Sequence, residues 1–304
     1  MYLLSDWKPS QRKVAIDLGT AFVRVASRDL GLVTIPVGQA AKPPLRHGVV
    51  TAPGEVASLL RPLLNQARRL GVDPRVAVGI PTDANPNERL ALFRALCVAG
   101  VEEFEIVPEP QAAAVGAGVE VSSPYAQMVV DIGEGVTDCA VIKYGKVLHT
   151  RAVRIGCGTL RDRVQAGCLR QRGINLTQRE AELLLEEFGV GRDANNSLAF
   201  RPFPERPSDK YGISAVTVHA CIEPCIAEIL TTIVDHLRTL PNEIGCEVIE
   251  SGILLTGGGA LLPGISDRLR VATAIQVTRP SDPLDTVIRG LLNLMDSAPI
   301  RRAD

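Results

Sequence analysis

One pattern is written twice in this chain, 114 residues apart. Lys13 to Asp17 (KVAID) is a short apolar strand that ends on a carboxylate, turns through Gly19–Thr20 and returns along the β-branched stretch Val23 to Ser27. Gln127 to Asp131 (QMVVD) repeats the design, with Gly133–Glu134–Gly135 as the turn and Thr137 to Lys143 as the return. Apolar runs bounded by glycine turns read as strands, and an acid in last place leaves its carboxylate at the sheet's end beside bare backbone. Two divergent copies at this distance exclude a short-period solenoid and predict two similar halves facing each other. The 304 residues agree, at roughly 150 per domain. A chain of this length buries about three quarters of its unfolded surface and needs no disulfide or metal staple.

Between and after the copies, strands alternate with helices. Helical spacing predicts helices over Glu55–Leu70, Asn87–Ala99 and Glu109–Gly116, with strands at Arg75–Ile80 and Phe104–Val107. The stretch 161–247 differs in kind: Arg-rich, then a helix at Gln178–Phe188, a polar surface excursion over Gly189–Ser208, and a long amphipathic helix over Val216–Leu240 stopped by Pro241. Ile253–Thr256 is a strand running into three glycines, Ile275–Thr278 a last strand and Thr286–Met295 a last helix. The class is α/β.

Charge and cysteines narrow the function. With 33 Lys+Arg against 34 Asp+Glu the net charge is −1, so there is no basic field for nucleic acid. The seven cysteines are odd in number, scattered and without a CxxC pair, as in a reduced cytosolic protein. Cys221 and Cys225 share a helix face, yet none of the four histidines is placed to complete a zinc set. No apolar run approaches 18 residues and no basic n-region precedes an h-region, so the expectation is a cytoplasmic protein.

Four constellations carry chemistry. In Asp17-Leu18-Gly19-Thr20, glycine admits close backbone approach, amides and hydroxyl grip phosphate oxygens, and a carboxylate beside polyphosphate makes sense through magnesium. Asp131-Ile132-Gly133-Glu134-Gly135-Val136-Thr137 repeats that logic. Each alone also reads as a plain hairpin turn; opposed, the two can clasp a phosphate chain. Thr256-Gly257-Gly258-Gly259-Ala260 gives a bare surface near a helix start, where a ring or an anion can lie. Glu109-Pro110 opens a small-residue helix, where the acid either orients a water or complements the helix dipole. No GxGxxG and no Walker A sequence occurs.

In this order the four resemble the actin, heat-shock-chaperone and sugar-kinase ATPase superfamily, and within it the MreB-like bacterial actins. EPQAAAVGAG (Glu109 to Gly118) and LTGGGALLPG (Leu255 to Gly264) are the most specific segments, and the likeness includes VGQAAK (Val37 to Lys42). The resemblance implies a two-lobed actin-like ATPase fold, duplicated RNase H-like domains around a nucleotide cleft. Domain I would be 12–120 plus 282–304 with little or no subdomain IB, and domain II 124–281 with an insertion at about 161–247. It implies ATP or ADP with magnesium: Asp17 and Asp131 at the metal through waters; Gly19, Thr20, Ala21, Gly133, Glu134, Gly135 and Thr137 around the phosphates; Gly257, Gly258 and Gly259 at the adenosine; Glu182 at the ribose or base. Glu109, with Asp131, would be catalytic, positioning the attacking water.

Three departures stand out. Glu134 and Val136 replace a glycine and a threonine of the second loop, which implies slow hydrolysis. Leu185 stands where relatives carry a base-contacting lysine. Only about twenty residues, Arg28 to His47, lie where MreB-like proteins carry subdomain IB, so filament geometry does not carry over. The implied function is a cytoskeletal protein that polymerises with itself under nucleotide control. The alternative is a weakly hydrolysing ATP-binding membrane adaptor of the FtsA or PilM kind. Met1 to Trp7, with the single Trp, offers a short membrane-binding segment.

Overall fold

A computed structural model of the chain describes residues 12–37, 43–68, 74–191 and 207–297. The first half opens as a meander: β1 (Lys13–Leu18), β2 (Phe22–Ser27) and β3 (Gly31–Pro36) pair antiparallel. A two-residue-per-strand hairpin follows, β4 (Leu45–Arg46) and β5 (Val49–Val50), then α1 (Pro53–Ala67). β6 (Arg75–Ile80) lies parallel to β1, and α2 (Pro86–Val98) carries the chain to β7 (Phe104–Pro108), parallel to β6. Asn85 caps α2 in a reciprocal box with Glu88, which fixes where that helix begins. α3 (Glu109–Gly116) closes the half.

The second half repeats the plan. β8 (Gln127–Ile132), β9 (Thr137–Lys143) and β10 (Lys146–Val153) form the meander, followed by α4 (Cys157–Arg172), α5 (Gln178–Phe188), the short α6 (Pro207–Tyr211), α7 (Ala215–Thr239) and α8 (Asn242–Ser251). β11 (Ile253–Thr256) runs parallel to β8, a 3-10 turn covers Gly258–Leu261, and α9 (Ile265–Thr273), β12 (Val277–Thr278) and α10 (Thr286–Ser297) follow. Strand orders are β3-β2-β1-β6-β7 and β10-β9-β8-β11-β12, the same topology twice. The duplication read from two Asp-x-Gly turns is therefore a duplication of whole sheets.

Each half has its own apolar core, and an alanine-rich layer joins them. Ala15, Ala77, Ala112, Ala113 and Ala114 of the first half pack with Val129 and Ala140 of the second and with Ile288 and Leu291 of α10. α10 returns to the first half, lying on α3, β1 and β6. α3 and α10 touch backbone to backbone: a Cβ on Gly116 would fall 1.8 Å from the Thr286 carbonyl oxygen, and one on Gly290 1.7 Å from that of Ala112.

Some expectations change. β3, β10 and α8 form where no element was expected, and the Arg-rich start of the insertion is α4. α7 is 25 residues long and reaches a mean hydropathy of 1.4 although charged residues interrupt it; among the described residues it is the helix that by length and composition could cross a membrane. Its Ile222, Ile226, Ile229 and Ile233 are buried in the core of the second half, so it serves here as a core helix. The helix end expected at Leu70, the segment Gly38 to Lys42, most of the excursion (192–206) and Met1 to Trp7 lie outside the described residues.

Candidate functional site

Equivalent positions of the two meanders face different partners. Asp17 on β1 pairs in register with Arg24, and Asp131 on β8 pairs with Asp138. Arg24 Nη1 donates to Asp17 Oδ2 at 3.2 Å, and its Nε lies 3.5 Å from Asp285. Burial raises the Asp17 carboxyl despite the pull of Arg24. Asp131 is pushed up to about 7, first by burial, then by the charges of Asp138 and Asp17, against Arg24. Asp138 also rises to about 7 through burial, although the backbone N–H of Thr82 donates to it at 2.7 Å and the Thr82 hydroxyl donates as well.

Glu109 stands at the first residue of α3, where a Cβ on Gly79 would lie 3.2 Å from its Cγ, so the glycine at the end of β6 makes its berth. Its carboxyl lies well above the usual range, first through burial and then through Asp17, Asp131, Asp138 and Asp83. These acids share one electrostatic neighbourhood between the two sheets. Asp131 Oδ1 is buried with no hydrogen-bond partner among the described residues. Gly257, at φ +80°, lays its backbone on that oxygen: a Cβ there would be 2.1 Å away. The triple glycine therefore abuts the second turn, anchored by Gly257 N–H donating to Pro283 O at 3.1 Å.

The two turns also meet directly. A Cβ on Gly135 would lie 2.6 Å from Thr20 Oγ1 and 2.7 Å from His47 Cα. His47 and Gly48 form the tip of the β4–β5 hairpin with φ of 51° and 71°, the left-handed pair that a two-residue turn of this hand demands. Gly48 N–H donates to Thr20 Oγ1 at 2.8 Å, and His47 Nδ1 sits 2.8 Å from Gly135 O. Further out, Arg154 on the second half donates to Asp83 at 2.8 Å and to both Glu88 oxygens at 2.7 and 2.8 Å. Asp138, Thr82, Arg154 and His47 thus tie the two halves together, and none carries that role on its face in the sequence; for His47 the signal is a His-Gly pair between short apolar runs.

The structure brings Asp17, Thr20, Glu109, Asp131, Gly135 and Gly257 together where the two halves meet. Gly19 is in the same turn, packed on the Phe22 carbonyl, and Ala21 O accepts from Val37 N at 2.8 Å. Gly258 and Gly259 continue from Gly257, with Gly259 packed on Ile132. Gly133 and Glu134 point their carbonyls at α4, and the Glu134 carboxylate is held by Arg161. The Thr137 side chain is wholly buried and its hydroxyl donates to Ile155 O at 2.8 Å, which leaves its backbone as the part that lines the turn. Glu182 on α5 is paired with Arg179 at 2.7 Å and half exposed, while its charge reaches Arg161 and Cys157. Leu185 is buried in the second core, so no side chain is offered at that place.

Among the described residues no three His, Cys, Asp or Glu are arranged to ligate a metal directly. An orphaned carboxylate oxygen among acids whose ionisation is suppressed fits a hydrated divalent cation, since magnesium keeps several waters and takes few carboxylates.

A family model described as MreB/Mbl protein matches residues 36–301. The chain belongs to the MreB/Mbl family. The cell shape-determining protein MreB of Escherichia coli (strain K12) is 30% identical over 262 residues, covering 84% of this chain and 76% of that protein. The cell shape-determining protein Mbl of Bacillus subtilis (strain 168) is 26% identical over 328 residues, covering 96% of this chain and 98% of its own length. That aligned stretch is longer than the 304 residues here, so Mbl carries segments this family member lacks. Among solved structures, MreB5 of Spiroplasma citri bound to ADP superposes with a TM-score of 0.81 at 22% identity, over 95% of this chain and 99% of that one. A MamK double helical filament gives 0.76 at 20% identity, over 95% and 100%. The fold is the actin-like ATPase fold.

Proposed function

We propose that this chain binds ATP with magnesium between its two sheets and that nucleotide controls its assembly into filaments, with slow hydrolysis. The observation that carries the reading is the meeting of two glycine turns, Thr20 against Gly135, over buried acids of which Asp131 keeps an unpartnered oxygen. Asp17 and Asp131 hold the hydrated cation. The turn amides around Gly19, Thr20, Gly133 and Gly135 take the phosphates, and Gly257 to Gly259 receive the adenosine, with Glu182 near the ribose or base. Magnesium, when bound, supplies the positive charge that favours ionised carboxyls and shields the phosphates. Glu109, once ionised, orients a water by accepting its hydrogen bond; Val136 cannot add a hydroxyl there, so turnover is slow.

The family's printed roles support the assembly half of the reading: relatives are named as determining cell shape, and a structural neighbour is a double helical filament. Structures of one neighbour are described as bound to ADP and to AMPPNP. The division proposed is domain I at 12–120 plus 282–304 and domain II at 124–281 with its insertion at about 161–247; the return of α10 to β1 supports it. The protein would work in the cytoplasm, with Met1 to Trp7 as a contact to the membrane surface. A second reading, the weakly hydrolysing adaptor, is favoured by one feature: between β3 and α1 the described residues build only the β4–β5 hairpin where a filament-contacting subdomain is expected. Pelleting and negative-stain microscopy with magnesium and ATP, ADP or no nucleotide separate the two. Nucleotide-dependent filaments support the first; a chain that binds ATP and stays monomeric at high concentration supports the second.

A further inference from the structure

The second glycine turn carries an acid in the middle of a proposed phosphate site, and its charge is cancelled from one direction. Arg161, in the second turn of α4, grips Glu134 with both terminal nitrogens: Nη1 donates to Oε2 at 3.0 Å and Nη2 donates to Oε1. Both side chains are mostly buried, at 17% and 18% exposure. The backbone is seated too, with Cys157 N–H donating to Gly133 O at 3.0 Å and Gly158 N–H to Glu134 O at 2.9 Å. Bare backbone is required on the α4 side: a Cβ on Gly156 would lie 2.5 Å from Gly133 O, and one on Gly158 2.8 Å from Glu134 Oε1. The start of α4 is a saddle for the turn, and Arg161 closes over the carboxylate.

The surroundings are one-sidedly acidic. The half-buried Cys157 thiol is pushed up to about 12, most by desolvation, then by Glu134 against Arg161, with Glu182 and Asp131 adding more. Burial already suppresses the ionisation of Asp17, Asp131 and Glu109 nearby, so an unpaired Glu134 would be the fixed negative charge that a polyanion meets at this turn.

We propose that Arg161 is a positioning residue that masks Glu134, so that an acid can stand in the phosphate turn without repelling a nucleoside triphosphate. The proposal rests on the nucleotide reading above and adds to it the residue that makes this turn compatible with a polyanion. An unmasked unit charge within a nanometre of the phosphates, at the effective dielectric of a partly buried site, lowers affinity by roughly tenfold to a hundredfold. The loss grows with ligand charge and with falling salt, which separates it from a packing defect.

The test is calorimetric binding of Mg-ATP and Mg-ADP to the full chain and to Arg161→Ala, Arg161→Lys, Glu134→Gln and the double variant Glu134→Gln/Arg161→Ala. Arg161→Ala weakens ATP about tenfold or more and ADP distinctly less, while Arg161→Lys, which keeps the charge but loses the two-pronged grip, loses distinctly less than the alanine variant. The double variant returns ATP affinity to within about threefold of wild type, because no charge is left to mask. A double variant as weak as Arg161→Ala alone, equal losses for ATP and ADP, or a lysine variant as weak as the alanine one each overturn the masking role. A wild-type chain that binds neither nucleotide overturns the nucleotide reading itself, a result distinct from any of these.

Discussion

Asp138→Asn should flatten the fall of stability with pH between the unfolded and folded values of this carboxyl, 3.8 and about 7. The wild-type Asp138 carboxyl is held at about 7, against an ordinary 3.8, chiefly by burial, so the folded state keeps a proton that the unfolded state has lost across the interval between. A raised carboxyl stabilises fully below the unfolded value, and the contribution drains away as pH climbs through the folded value. For one group with those two values the loss between pH 5 and 8 is roughly 3 kcal/mol at about 1.4 kcal/mol per pKa unit. That corresponds to a fall of roughly 5–10 °C in melting temperature for a chain of this size. His236 works the other way: buried, with its Nε2 lacking a partner among the described residues, it is held at about 4 and adds stability as pH rises toward 6.5. The variant-minus-wild-type difference cancels that contribution. Asparagine keeps both contacts, accepting from the Thr82 N–H and donating to a reversed Thr82 hydroxyl. Melting curves from pH 5 to 8, without divalent cations or nucleotide, should give the variant a slope shallower by the amount above. Parallel curves for variant and wild type would refute the argument that this acid is protonated in the empty fold.

Further outcomes follow from single contacts. Glu109→Gln should retain ATP binding and lose about a hundredfold or more in single-turnover phosphate release; turnover equal to wild type removes the water-positioning role. Gly290→Ala forces a methyl group onto the Ala112 carbonyl and should cost about 3 kcal/mol or more in urea unfolding, since neither backbone can yield cheaply. Deleting residues 1–8 should abolish co-sedimentation with anionic liposomes while ATP binding persists, and unchanged pelleting would dismiss the N-terminal contact.

What could be read in the sequence was what neighbouring residues decide among themselves. Asp17, Asp131 and the glycines after them declare a strand-end acid and a bare turn locally, and Glu109-Pro110 and Gly257 to Gly259 do the same for a helix start and a flat surface. The residues that complete the site are set by register and tertiary contact. That Asp131 faces Asp138 while Asp17 faces Arg24 depends on which residues pair across each meander. Thr82, Arg154 and His47 reach the site from separate loops and strand ends. That the Thr137 side chain turns inward, although it follows Val136 in the turn, depends on β9 beginning there. α4 escaped notice because only Leu160, Val164, Gly167 and Cys168 are buried, a narrow stripe on an Arg-rich helix. β3 and β10 are edge strands whose exposed, mixed composition gives little strand signal.

Calorimetric titration of Mg-ATP into the pure chain, beside Asp131→Asn and a magnesium-free control, is the most direct measurement. One bound nucleotide per chain, weakened at least about tenfold by the substitution and by removing magnesium, is expected of acids that serve a hydrated cation between the two turns. No heat in the wild type at millimolar nucleotide, or binding indifferent to both Asp131 and magnesium, would contradict it.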